Sequence, residues 1–268
     1  MIFALLCCSL FFAACGEGQK GKSQGSVGVW WWDNRLGEEY LDFAYQNKVN
    51  EIYYYTSSFS QRHAEFIEKA ANYDMKVYLL CGDYTWIEDM SKFDALMEQY
   101  QDFQNNNEQA FAGVHIDVEP HQHPDWEENQ QELTTKYIKF VKTAVEKYQG
   151  VNFDFDIPFW LEEQVSFEGQ TKAAFKFVLD YADRVFVMSY RDSAEAMFDV
   201  AQEELAYANE IGKPIFLSAE TGQEEDVVTY FEEGKAYLNS QLEKLKEMVG
   251  DQLNIAIHHI KSWKALQD

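Results

Sequence analysis

The sequence predicts an α/β protein, a single (β/α)8 TIM barrel. Three observations carry that prediction. Eight short runs rich in apolar, β-branched and aromatic residues recur along the chain, amphipathic stretches separate them, and no Pro/Gly/Ser-rich linker interrupts residues 27–268. A strand–helix unit repeated eight times at a spacing of about 30 residues closes most simply into a barrel. The predicted strands are 27–32, 51–55, 76–81, 113–118, 151–157, 184–189, 214–219 and 254–258. The predicted helices are 35–47, 61–73, 91–103, 131–148, 170–182, 193–211 and 229–249, with a short one at 262–267. Phe140, Ala144, Val145 and Tyr148 show the apolar stripe expected of such helices, with Lys139, Lys142 and Glu146 on the wet side. Gly150, Gly212 and Gly250 follow helices, where a left-handed cap is wanted. A doubly wound open sheet is the alternative. It calls for a glycine-rich phosphate turn after the first strand, and Gly28-Val29-Trp30-Trp31-Trp32-Asp33 is not one.

Composition narrows the function. The 268 residues include 22 Lys and Arg against 46 Asp and Glu, a net charge of -24, with 46% hydrophobic and 16% aromatic residues. That apolar content excludes a disordered chain. The charge argues against nucleic acid as a partner and against adhesion to anionic lipid, both of which need clustered cations.

The first 15 residues read as an address. Residues 2–14 are apolar, fewer than the ~20 that span a bilayer, and small residues precede Cys15. Ala13-Ala14-Cys15-Gly16 resembles a bacterial lipoprotein lipobox. The resemblance implies a signal peptide over 1–15, lipidation of Cys15, and a flexible tether over 16–26 that holds the domain 27–268 at a membrane outside the cytoplasm. An ordinary cleaved signal peptide is the alternative. Cys7 and Cys8 fall in the removed segment, so Cys81 is left alone, without a disulfide partner, and reads as a buried small apolar residue.

In such a barrel chemistry sits at the C-terminal ends of the strands. Along 113–119, alternation places His115, Asp117 and Glu119 on one face and Val114, Ile116 and Val118 on the other. The apolar face packs against helices, so the ionisable face points into the barrel. Burying charge is costly unless it is paired, and an ordinary structural strand does not carry three such groups. A rim carboxylate that caps a loop or pairs with Arg191 is the plain alternative for Glu119. On 214–220 the same alternation turns Glu220 inward across the mouth. Two carboxylates flanking a cleft suit glycoside hydrolysis. Tyr190 faces the lumen by alternation with Phe186 and Met188. Asp33, Asp156, Arg191 and His258 close other strands and are candidate substrate ligands. Tryptophans offer faces for sugars; Trp86, Trp160 and Trp263 are candidate platforms, whereas at least two of Trp30, Trp31 and Trp32 belong to the core.

These residues resemble the TIM-barrel glycoside hydrolases in two ways. Gly113-Val114-His115-Ile116-Asp117-Val118-Glu119 resembles the fourth-strand motif of chitinase-type family 18 enzymes, and Met188-Ser189-Tyr190-Arg191-Asp192 resembles their sixth strand. Ala112 and His115 stand where that motif has two further aspartates. The resemblance implies Glu119 as the acid, with Asp117 and Tyr190 supporting an N-acetyl group of the substrate as internal nucleophile. Glu119-Pro120 with Glu220 resembles the retaining clan A enzymes instead, which implies Glu220 as nucleophile. The expectation is a surface-anchored glycoside hydrolase that acts on carbohydrate without a cofactor. A barrel that binds carbohydrate without cleaving it is the alternative. A metal-dependent hydrolase using His115, Asp117, His121, His123, His258 and His259 is a third. The oligomeric state and the sugar are left open.

Overall fold

The structure, a computed structural model, describes residues 24–225 and 227–268. The signal segment, Cys15 and the tether up to residue 23 lie outside the described residues. The chain forms β1 (Val27–Trp31), α1 (Glu38–Gln46), β2 (Glu51–Tyr55), α2 (Gln61–Ala71), β3 (Lys76–Cys81), α3 (Ser91–Asn106), β4 (Val114–Ile116), α4 (Trp126–Lys147) and β5 (Phe153–Pro158). It continues with β6 (Gln164–Phe167), β7 (Gln170–Ala173), α5 (Ala174–Tyr181), β8 (Arg184–Met188), α6 (Ala194–Ile211), β9 (Ile215–Glu220), α7 (Gly234–Val249), β10 (Asn254–His258) and α8 (Ile260–Ala265). Eight parallel strands close in the order β1-β10-β9-β8-β5-β4-β3-β2, and the helices surround them. The protein is a (β/α)8 barrel. Among the described residues no helix is long and apolar enough to cross a membrane.

The predicted strands lie within one or two residues of the observed ones, and the larger departures have local causes. The stretch predicted as helix from residue 170 starts as β7, paired antiparallel with β6. Glu168 and Gly169 between them take φ of 50° and 79°. Two consecutive left-handed residues make the tight hairpin whose twist matches its strands. Ser166 and Thr171 meet across it at 2.7 Å. Helix α7 begins at Gly234, not at 229, because Thr229 bridges to Glu220 and Tyr230 is fully buried. Helix α4 begins five residues before the predicted start and kinks at Asn129.

The core has two parts. The outer part lies between strands and helices and includes Trp31, which packs on Phe66 and Tyr40. The inner part fills the lumen with Trp30, Tyr53, Tyr78, Leu80, Phe186, Phe216 and Ala256. Trp30 and Trp31 are thus both core, facing opposite ways as adjacent strand residues must. Near the floor a Cβ on Gly28 would sit 2.1 Å from the Tyr53 hydroxyl, so only glycine leaves room for that ring. Cys81 is a free, buried thiol whose ionisation burial opposes.

Charges run through this lumen. The Arg184 guanidinium forks onto Asp154 at 2.7 and 2.6 Å and reaches Glu51 at 2.7 Å, while its plane lies 4.4 Å from the Tyr78 ring centre. His115 stacks on Tyr53 with ring centres 4.2 Å apart. Its Nε2 donates to Asp156 at 2.8 Å, and its Nδ1 lies 3.7 Å from Asp154, an ionic rather than a hydrogen-bonded separation. Glu51, Arg184, Asp154, His115 and Asp156 therefore alternate in sign from the floor upward.

Candidate active site

The upward column ends at the barrel mouth. The residue after β3, Gly82, permits the close approach of the β4 extension: a Cβ there would lie 1.7 Å from the Asp117 carbonyl oxygen. The Asp117 N–H donates to the Cys81 carbonyl at 2.9 Å, which prolongs the sheet beyond the strand proper and carries the alternation on to Glu119. A hollow of about 450 Å³ opens here, lined by Trp32, Gly82, Asp83, Tyr84, Asp117, Glu119, Gln122 and His258. Its size falls within the range of small-ligand sites.

Glu119 stands at the opening, its side chain 21% exposed. Gln122 donates to its Oε1 at 2.7 Å, and His121 Nε2 lies 3.0 Å from its Oε2. Asp117 lies deeper. Burial pushes its carboxyl well up, and the neighbouring charges of Asp156 and Glu119 push it further against the pull of His115. Among the described residues no donor reaches its buried Oδ1. Asp156, predicted as a substrate ligand, lies under the hollow instead of lining it. Burial raises it, and the His115 ring opposes that rise. Tyr190 is half-buried among the same acids. Burial raises its hydroxyl, and Glu220, Asp156, Asp117 and Glu119 add to the rise.

The structure gives Glu220 a different setting from the one predicted for a nucleophile. Its Oε1 accepts from the Thr221 and Gly222 N–H groups at 2.7 and 2.5 Å, and its Oε2 lies 2.6 Å from His258 Nδ1. It is 5% exposed and does not line the hollow. Burial disfavours its charge, but the His258 contact and the two backbone donors outweigh that, so its pKa is lowered. It is a structural anion. The other partner of His258 is Trp32, whose indole N–H donates to Nε2 at 2.9 Å.

The predicted platforms separate. Trp86 packs against Phe93 and Phe140, and Trp263 against Phe43; at 6% and 3% exposure neither offers a face to a sugar. The segment after β3 turns at once into a helical turn that rolls Trp86 into the outer core, and α8 does the same to Trp263. Trp160 is 41% exposed and leans on His121 and Trp126 at the rim. Asp33 binds Arg35 at 2.9 Å, which holds its carboxyl at about 2; it lines a neighbouring hollow. Among the described residues Arg191 pairs with no carboxylate within 4 Å: it donates to the Tyr190 carbonyl at 2.7 Å and stacks 4.3 Å over Phe159. Sequence reasoning missed Trp32, Asp83, Tyr84 and Gln122. Alternation from Trp30 could have turned Trp32 inward, whereas Asp83 lies in a loop and Tyr84 and Gln122 in single helical turns, where the strand period does not run. Among the described residues no three His, Cys, Asp or Glu side chains converge to hold a metal ion.

His115 makes a testable contribution. Burial works against its charge, but Asp156 and Asp154 outweigh burial and raise it from 6.5 to about 9. A raised folded-state value means stabilisation present in full below the unfolded value and lost as pH climbs through the folded one. Unfolding free energy measured with urea should therefore fall by about 3 kcal/mol between pH 6.5 and 9.5. In His115→Gln that slope should be absent. A wild-type profile flat over this range would show the ring to be uncharged.

No family model matches the chain, and no curated protein matches its sequence. Solved structures share its fold. A family GH18 chitinase from Cycas revoluta aligns at TM-score 0.57 and 10% identity over 89% of this chain and 96% of that one. The endo-β-N-acetylglucosaminidase of Cordyceps militaris aligns at 0.56 and 12% identity, over 88% and 82%. The glycoside hydrolase domain of PelA from Pseudomonas aeruginosa aligns at 0.52 and 12% identity, over 91% and 98%. These neighbours share the (β/α)8 barrel fold of this chain.

Proposed function

We propose that this protein hydrolyses glycans built from N-acetylated amino sugars, with Glu119 as acid and base and the substrate's own acetamido oxygen as nucleophile. One observation carries the reading: the second rim carboxylate, Glu220, is engaged by His258 and two backbone donors and does not line the hollow of Glu119. A nucleophile supplied by the sugar itself fits that arrangement. Asp117 supports this, because it lines the same hollow as Glu119, where its carboxyl can accept the amide N–H as positive charge develops there. Glu119 protonates the leaving oxygen while the acetamido oxygen bonds to the anomeric carbon. Glu119 then takes a proton from the water that opens the cyclic intermediate, and the starting configuration is restored. Tyr190, in the field of the same acids, keeps its proton and is the candidate donor to the acetamido oxygen.

Two of the fold neighbours are named for chitinase and endo-β-N-acetylglucosaminidase activity, which agrees with an acetamido substrate. The lipobox-like sequence at Cys15 supports a role at the outer face of a membrane, as a tethered lipoprotein. The second reading, a barrel that binds sugar without cleaving it, draws on His115 and Ala112 standing where the related motif has acids.

The test is a comparison of β-1,4-linked N-acetylglucosamine oligomers with the same oligomers de-N-acetylated, following the first-formed anomer by NMR. Cleavage of the acetylated series alone, with the configuration retained, is expected. Equal cleavage of both series, or an inverted product, would overturn the mechanism. Tight binding with no product would favour the second reading.

A further inference from the structure

The two ends of the barrel differ, and the chain enters at one of them. Residue 24 leads into β1 at the base, the end opposite the mouth. The entry is clamped. The Gly25 N–H donates to the Asp251 carbonyl at 3.0 Å, the Ser26 N–H to Asn254 Oδ1 at 2.9 Å and the Val27 N–H to Asn50 Oδ1 at 3.0 Å. A Cβ on Gly25 would lie 2.0 Å from the Leu253 carbonyl oxygen, so the chain is pressed against the neighbouring turn. Nine residue steps separate Gln24 from Cys15, at most ~32 Å of chain. The wall from base to mouth is about as tall as its 16-residue helices α3 and α7, ~24 Å, and the helix layer adds ~10 Å. A lipid on Cys15 can therefore reach a bilayer under the base with slack, and a bilayer across the mouth only with none.

Charge divides the ends in the same way. The net charge of -24, taken as a whole, argues against contact with anionic lipid, but it is unevenly placed. The mouth connections 82–90, 117–125, 159–163 and 221–233 hold acids and no Lys or Arg. After β9 alone stand Glu224, Glu225, Glu232 and Glu233. The connections at the base are close to balanced, with Lys48, Lys76 and Lys213 against Asp74, Glu108, Asp183 and Asp251. Exposed apolar side chains accompany that balance. Tyr45, Met248 and Val249, at the base ends of α1 and α7, are 59%, 41% and 36% exposed. Tyrosine rings and lysine stems settle at a headgroup boundary. Trp160 and Phe231 are exposed at the mouth as well, but among carboxylates that an anionic headgroup layer repels.

We propose that the barrel stands on its base: the surface around Gly25, with Tyr45, Lys48, Met248 and Val249, rests on lipid headgroups, and the mouth with Glu119 opens away from the bilayer. This rests on the reading of Cys15 as the lipid-bearing residue and not on hydrolysis. The lipid supplies the affinity, and the clamped entry and the uneven charge supply the direction. The site then takes its ligands from the medium or from an overlying polymer, and not from the bilayer on which it stands.

The test uses the full chain, purified with its lipid and placed in vesicles whose headgroups carry a nitroxide quencher. Mass spectrometry locates the lipid. Fluorophores are attached one at a time at Gln252→Cys, exposed at the base, and at Ser57→Cys, exposed after β2 at the mouth; Cys81 is buried and escapes labelling. The label at 252 should lose intensity on these vesicles, and the label at 57 should keep the intensity it has on vesicles without quencher. Equal loss at both positions, or greater loss at 57, overturns the orientation and leaves the anchor standing. A full chain that carries no lipid at Cys15 and stays off the vesicles overturns the anchor and the orientation together. A second variant separates reach from charge. With about 20 Gly/Ser residues inserted between Lys22 and Ser23, the chain spans more than the height of the wall. The contrast between the labels should then persist on vesicles rich in phosphatidylglycerol and fade on phosphatidylcholine alone. A contrast lost on both overturns the share given to charge. The presence or absence of hydrolysis moves none of these signals.

Discussion

Glu119→Gln should lower turnover of N-acetylglucosamine oligomers by about 10²–10⁴-fold, the range a positioned general acid and base contributes. The substitution keeps the shape of the side chain and its contact with Gln122, so the hollow should survive. It removes the proton that the leaving oxygen needs and the base that later activates water. Because the interaction lost is made in the transition state, kcat and kcat/KM should fall together while KM moves little. Steady-state kinetics on wild type and variant decide the matter. Retained activity, or a change confined to KM, would remove Glu119 from the chemistry. Asp117→Asn should behave differently. It cannot act as an acid but keeps an oxygen that accepts, so any activity that remains reports on the amide contact alone.

The second large effect is on folding. Arg184→Met should destabilise the protein by about 3–5 kcal/mol, the usual cost of removing one partner from a buried charge cluster. Asp154 is fully buried and Glu51 6% exposed, and the guanidinium is the cation they share, with His115 3.7 Å from Asp154 and the Tyr53 hydroxyl donating to Glu51 at 3.2 Å. Once it is gone they repel each other in a medium that screens weakly. The methionine fills much of the space, so the loss reports on charge more than on volume. Urea unfolding at pH 7 measures it. A triple variant, Arg184→Met with Asp154→Asn and Glu51→Gln, should recover a large part, since neutral groups no longer need the cation. If the triple variant were as unstable as the single one, packing around Tyr78 and Phe216 would be the origin instead.

Much of the architecture could be read from periodicity, because strands of a closed barrel are buried on both faces and announce themselves as short apolar runs. The inward face of His115, Asp117 and Glu119 was readable for the same reason: alternation is a local property. What each group does there was less readable, because its partners come from distant parts of the chain. Glu220 faces inward as predicted, but His258, 38 residues on, decides that it is a fixed anion. His115 breaks an acidic motif, and only the fold shows that Asp154 and Asp156 from the next strand surround it. Trp86 and Trp263 failed as platforms because one helical turn after a strand is enough to swing a ring from mouth to core. The hairpin at Glu168-Gly169 escapes sequence reading because Gln170, Thr171, Lys172 and Ala173 fit a first helical turn as readily as an edge strand.

The alternating ions beneath the hollow have a thermal consequence. Apolar plugs gain little further strength at high temperature, but the penalty for withdrawing ions from water shrinks as the solution warms. A floor made of Glu51, Arg184, Asp154, His115 and Asp156 should therefore keep its shape when peripheral loops have begun to melt, leaving the Asp117 acid seated up to the point of global collapse.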